Sequence, residues 1–255
     1  MSNSPLVNYT RLSPNRTVPR RHVIDTITIH CTGGKCTAVS LGAQFAPPSR
    51  GASSNYGIGY DGSIGMYCPE SDKSWCSSNI PNDHRAVTIE VSSEAVHPYK
   101  VTDAAYKALL DLVTDICKRN GIKKLVWSNS KSDRINHRNG CNMTVHRDFA
   151  NKACPGDYLY NLHPQIAAEV NRRLTGSAAA SKPTPDTTVT SKMVRVTTGS
   201  LNIRSGPGTN YSVVGKITDR GVYTVVQESN GPGASRWGKL KSGAGWIALD
   251  YTKSV

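Results

Sequence analysis

Two histidines and a cysteine stand where a metal ion could use them. His146 and Cys154 lie eight residues apart in Thr144-Val145-His146-Arg147-Asp148-Phe149-Ala150-Asn151-Lys152-Ala153-Cys154-Pro155-Gly156-Asp157. More than a hundred residues upstream, the apolar run Ile24-Asp25-Thr26-Ile27-Thr28-Ile29 ends in His30. Two imidazoles and a thiolate supply three of zinc's four ligands, and an ion so held keeps one position for water, which is the arrangement for hydrolysis. Spacing alone leaves a plainer alternative open: a histidine ending a buried strand can be a packed core residue, and Cys154 a buried loop thiol.

These residues need a scaffold. Residues 23–30 and Ala86-Val87-Thr88-Ile89-Glu90-Val91 have the composition of buried strands, and Leu125-Val126-Trp127 of a brief one. Tyr56-Gly57-Ile58-Gly59-Tyr60 and Ile64-Gly65-Met66 flank an Asp61-Gly62 turn, a hairpin signal. Tyr106, Leu109, Leu110, Val113, Ile116 and Cys117 recur at helical spacing over 103–119, with Asn120-Gly121 as the stop; a last helix covers roughly 160–174. Strands mixed with helices predict an α/β domain over residues 1–175. Residues 176–188 contain no large apolar side chain, and a flexible linker is expected over 176–190. Beyond it only short runs recur between turn residues, at 194–196, 201–204, 213–217, 223–226, 237–240 and 245–247, so residues 191–255 predict a small all-β barrel.

Charge bounds the partner. The 255 residues carry 31 Lys and Arg against 18 Asp and Glu, a net +13. Such a surface suits a polyanion, and bacterial wall with its carboxylates and teichoic acids satisfies it as well as nucleic acid does. No nucleic-acid motif is recognisable, so nucleic acid is not the expected partner. No stretch is long and apolar enough for membrane insertion. The N-terminus has no basic start followed by an apolar stretch, so no secretory signal is expected. Seven cysteines, an odd number without such a signal, predict synthesis in a reducing cytoplasm and no disulfide framework. Cys117 falls on the apolar side of its helix and is expected to be a plain buried thiol.

The strand-ending His30 together with His146…Lys152-Ala153-Cys154-Pro155-Gly156 closely resembles the zinc-dependent N-acetylmuramoyl-L-alanine amidases of the type 2 amidase family. The resemblance covers residues 20–175 and implies a mixed-sheet α/β amidase domain. Leu201-Asn202-Ile203-Arg204-Ser205-Gly206-Pro207-Gly208-Thr209-Asn210-Tyr211, with Gly245-Trp246-Ile247 and Asp250-Tyr251, resembles the bacterial SH3-like cell-wall-targeting domains. That second resemblance implies a wall-binding module in the small barrel.

On the amidase resemblance, His30, His146 and Cys154 are the ligands of Zn2+, and peptidoglycan is the substrate, cut between N-acetylmuramic acid and L-alanine. Glu90 matches the family's catalytic glutamate; read by itself, it is either an active-site group or a strand-edge charge facing solvent. Lys152 matches a lysine facing the developing oxyanion, the alternative being a solvated loop lysine. Asp148 and His84 are the next groups to consider as a base. The family places neither His84 nor His137 among the ligands, and both read as loop residues. His22, His97 and His163 have no motif support. Cys31 follows His30 and is expected on the opposite, core face of the strand. Two departures stand out: Ser54 occupies the place where many relatives have an active-site tyrosine, leaving Tyr56 as a substitute, and Trp75-Cys76 replaces a frequent Trp-His pair. An amidase without a signal but with a wall-binding module resembles phage endolysins, which act on the wall once the membrane is opened. A host autolysin of the same activity and a non-catalytic peptidoglycan-binding protein are the alternatives. The family's non-cleaving relatives usually lack the zinc cysteine, which is present here.

Overall fold

The computed structural model describes residues 2–176, 192–209 and 211–255. The chain divides into two compact units, Met1–Ala178 and Ala179–Val255. The expected linker at 176–190 lies outside the described residues apart from Gly176.

The first unit is built on a six-stranded mixed sheet in the order β1-β5-β4-β7-β3-β8. These strands are β1 (Tyr9–Thr10), β3 (Thr26–Cys31), β4 (Tyr56–Ile58), β5 (Ile64–Met66), β7 (Ala86–Val91) and β8 (Met143–Thr144). A separate small ladder joins β2 (Arg16–Thr17) to β6 (Lys73–Ser74). The expected hairpin is present, β4 and β5 pairing antiparallel, while β3 runs parallel to both β7 and β8. Alternation divides the central strands. Ile27, Ile29, Val87, Ile89 and Val91 join a core with α3 (Asp103–Arg119) and α5 (Gly156–Leu174), and the intervening Thr28, His30, Thr88 and Glu90 take the other face. Helix α3 has the predicted limits. Thr102 caps it by accepting from the Ala105 amide, and Gly121 follows its end at φ 70°.

One expected strand does not form. Leu125–Trp127 has no ladder partner, because side-chain amides take over its backbone groups. Asn171 accepts from the Leu125 amide at 2.7 Å and donates to its carbonyl at 2.8 Å, and Asn142 Oδ1 accepts from the Val126 amide at 2.8 Å. Helix α5 also starts earlier than its apolar period suggests, at Gly156. That glycine holds φ 75°, and a Cβ there would meet Tyr99 Cβ at 2.6 Å and the Pro98 carbonyl oxygen at 3.0 Å. The Cys154-Pro155-Gly156 turn thus requires glycine to begin the helix directly behind Cys154.

His163 sits fully buried on α5, its ring 4.3 Å from that of Trp127 and its Nδ1 donating to the Leu159 carbonyl at 2.7 Å. Burial pushes its pKa down to about 4. An unfolded chain takes up a proton here below about pH 6.5, and the native one only near pH 4. His163's contribution to stability should therefore be constant above pH 6.5 and become less favourable as pH drops toward 4, by roughly 3 kcal/mol at most. Urea unfolding of wild type and His163→Phe across that window tests this; equal slopes in the two proteins would refute it.

The second unit is a seven-stranded antiparallel sheet, ordered β11-β10-β14-β13-β12-β9-β15. Its strands are β9 (Lys192–Val196), β10 (Leu201–Arg204), β11 (Val213–Ile217), β12 (Val222–Gly231), β13 (Ala234–Leu240), β14 (Trp246–Ala248) and β15 (Thr252–Ser254). All six expected apolar runs are strands, and their inward residues Val194, Val196, Leu201, Ile203, Ile217, Val225, Leu240 and Ile247 form a separate core.

Candidate metal centre

His30 ends the polar-facing row of β3 with no exposed surface, directly opposite Glu90 on β7 in the strand register. Its Nδ1 lies 3.4 Å from Cys154 Sγ and 3.9 Å from Glu90 Oε1. The His146 ring stands edge-on to it, with centroids 5.1 Å apart. One donor atom each from His30, His146 and Cys154 falls within 4.8 Å of the others. The three residues that sequence reasoning grouped as ligands therefore converge, from strand β3, from the one-turn helix His146–Asp148 after β8, and from the loop before α5.

The electrostatics suit a cation. Burial, and then the neighbouring His146, lower the His30 pKa to about 3, so the ring stays neutral and keeps a lone pair. His146 is lowered too, by burial and then by the charge of Lys152. The Cys154 thiol is held well above its ordinary value by its hydrogen bond with Cys31, by burial and by Glu90. A bound divalent ion reverses that balance, because thiolate is the ligating form. Glu90 is pushed up to about 8 by burial, then by Cys31, with Arg50 opposing. Its Oε2 is buried without a hydrogen-bond partner, an orphaned carboxylate oxygen beside three ligand-type atoms. Two nitrogens and one sulfur fit zinc with an open position, and the orphaned carboxylate oxygen stands beside them.

The surroundings hold these groups in place. Ser78 Oγ is 3.0 Å from His146 Nε2, which leaves Nδ1 as the free ring nitrogen. Ser78 adopts φ 61°, a left-handed conformation rare outside glycine. The Asp83 carboxylate secures the preceding loop by accepting from the amides of Cys76 and Ser77. Arg147 closes the cysteine loop, donating to Asp157 at 3.0 Å and to the Ala153 carbonyl at 2.5 Å.

Several expectations need revision. Cys31 packs against the core as its face predicts, yet it also touches the centre, its amide donating to Cys154 Sγ at 3.4 Å. Asp148 is no spare base: it forms a buried two-point ion pair with Arg134, at 2.5 and 2.8 Å, and accepts from the Val145 amide. Ser54 and Tyr56 are both fully buried, with their hydroxyls bonded elsewhere. Ser54 Oγ donates to the Tyr56 carbonyl, and the Tyr56 hydroxyl donates to Glu70 at 2.7 Å. His84 accepts from the Arg21 amide, His137 contacts the Cys141 carbonyl and His97 pairs with Asp157. Lys152 is exposed beside His146, without a hydrogen bond from its ammonium group among the described contacts. Sequence reasoning missed Ser78, and it noted Cys76 only as a departure, although Cys76 joins His30 and Glu90 in a second overlapping group of candidate ligands. A usable signal existed: Asn79 followed by Pro81 marks a helix start, which would have placed helix α2 (Ile80–Arg85) and its loop. All seven cysteines are free.

An α/β domain presenting two histidines, a cysteine and a buried carboxylate at the end of its central strands has the makings of a hydrolase. The sequence pattern of the N-acetylmuramoyl-L-alanine amidases matches residues 20–157, more than half of the chain, and the protein belongs to that family. Residues 199–253 match the bacterial SH3 domain. Solved structures similar to the chain include PlyL (14% identity, TM-score 0.48, 64% of this chain and 95% of that one) and the catalytic domain of XlyA (16%, 0.47, 64% and 97%). A mutant endolysin from Bacillus subtilis is also similar (17%, 0.47, 64% and 99%). No curated protein matches. Among the described residues, no helix is long and apolar enough to cross a membrane.

Proposed function

We propose that the chain, an N-acetylmuramoyl-L-alanine amidase acting on peptidoglycan, cuts the muramoyl–L-alanine amide with a zinc ion held by His30, His146 and Cys154, and that it is of the phage endolysin type. The observation that carries the zinc reading is the convergence of those three donors beside the unpartnered Glu90 oxygen. His30, His146 and Cys154 would hold the zinc, which when bound would supply Lewis-acid polarisation of the scissile carbonyl and a more acidic water. Glu90, ionised beside the bound cation, would take the proton of the attacking water at Oε2 and return it to the leaving amide nitrogen. The Lys152 ammonium faces the carbonyl oxygen as negative charge grows on it. Neutral imidazoles at His30 and His146 orient the site without adding charge. Metal analysis of the purified protein with wall-lysis turbidimetry tests the whole reading: the expected result is one zinc per chain and chelator-sensitive release of stem peptide.

Lys152→Ala should lower turnover by roughly 10²–10³-fold, by analogy with loss of one oxyanion donor. Zinc content should be unchanged, and turnover within twofold of wild type would remove Lys152 from the chemistry.

The SH3 domain supplies wall affinity, supported by its family match and the strongly basic chain. Residues 1–175 alone should still release stem peptide from purified wall, only more slowly, and residues 190–255 alone should sediment with wall without cutting it. If the smaller piece sediments with no wall that the full chain lyses, the targeting role is wrong.

A further inference from the structure

Beneath the two histidines lies a closed ring of buried side chains that the proposed chemistry does not use. Asn82 of α2 donates from Nδ2 to Thr28 Oγ1 at 3.1 Å. Thr144 Oγ1 donates to Asn82 Oδ1 at 2.9 Å, and the two threonine hydroxyls lie 2.7 Å apart. Because the Thr144 proton is committed to Asn82, Thr28 must be the donor between the hydroxyls. All three bonds then run in one sense around the ring, an arrangement in which each bond polarises the next. Asn82, Thr28 and Thr144 are 3%, 0% and 0% exposed, so water does not compete.

The position of the ring matters more than its existence. Thr28 precedes His30 by one same-face step of β3, and Thr144 lies two residues before His146. Strand β8, which delivers His146, has only two residues, paired to β3 at Ile27↔Met143 and Thr28↔Thr144. So short a ladder fixes the strand's place weakly, and the ring adds a third tie at the same register position. We infer that the Asn82–Thr28–Thr144 ring is a positioning device that sets the separation of His30 and His146 for the metal. This rests on the zinc reading proposed above.

The test uses the full chain with Thr144→Val, which keeps shape and removes the hydroxyl, and Thr144→Ser, which restores it. Thr28→Val serves as an independent second break should Thr144→Val fail to fold. Zinc affinity is read by chelator competition, and geometry by the visible spectrum of the cobalt-substituted protein. The expected result is a loss of affinity of about 10–100-fold in the valine variants, the range for disrupted support of metal ligands, with an altered cobalt spectrum and recovery of both in Thr144→Ser. A valine variant that melts earlier yet binds zinc and shows a cobalt spectrum like wild type would overturn the inference, leaving the ring a structural contact. Wild-type protein that binds no zinc would instead refute the metal reading itself.

Discussion

Cys154→Ser should abolish wall lysis while leaving the protein folded. Serine keeps the size of the side chain but supplies a neutral hydroxyl where a thiolate would ligate, and the two histidines alone make a poor zinc site. The metal's contribution to amide hydrolysis is several kcal/mol of charge stabilisation, so turnover should fall on the order of a thousandfold or more. The fold should survive because the cysteine's loop is secured by other groups. Arg147 ties it to Asp157 and the Ala153 carbonyl, the buried Arg134–Asp148 pair braces the helical turn beside it, and Gly156 starts α5 behind it. Circular dichroism should overlay wild type, zinc content should drop well below one per chain, and turbidity of wall suspensions should stay constant. A Cys154→Ser protein that lyses wall at full rate without metal would end the metalloenzyme reading.

The parts of this site visible in sequence were those with local signals. His30 was legible because an apolar run ends at it, and alternation along β3 and β7 puts His30 and Glu90 on one face. Cys154 was legible through its Cys-Pro-Gly turn. Helix α3 was legible because its apolar period and its Asn-Gly stop agree. What escaped was decided by long-range pairing. Asp148 resembles a free carboxylate until Arg134 meets it from a separate short helix, and Tyr56 resembles an active-site tyrosine until Glu70 claims its hydroxyl. Leu125–Trp127 has the composition of a strand, but Asn142 and Asn171 satisfy its backbone from positions no local pattern connects to it. Helix α2, with six residues, is too short for a period to show, and Ser78 and Asn82 were hidden with it.

Glu90→Gln separates a proton carrier from a buried structural carboxylate. The substitution preserves shape and keeps a polar terminus, but an amide takes no proton from water, so turnover should fall roughly 10²–10⁴-fold. Zinc should remain bound, since Glu90 Oε1 stands 3.9 Å from His30 Nδ1 and the three ligand atoms meet without it. Little structure should be lost, because Oε2 makes no hydrogen bond and burial already disfavours the charge. A structural role predicts the opposite pattern: changed stability with turnover preserved. His84→Gln is the control, as its ring only accepts from the Arg21 amide at the surface, and it should leave turnover unchanged. Asp148→Asn is no substitute, for it breaks a buried ion pair and should destabilise the fold by about 3–5 kcal/mol, whatever the chemistry. Rates of stem-peptide release at saturating wall, read beside zinc content, decide the matter. If Glu90→Gln, fully loaded with zinc, turned over at the wild-type rate, the water's proton would have to go to a group outside this cluster, and the assignment of Glu90 would fall.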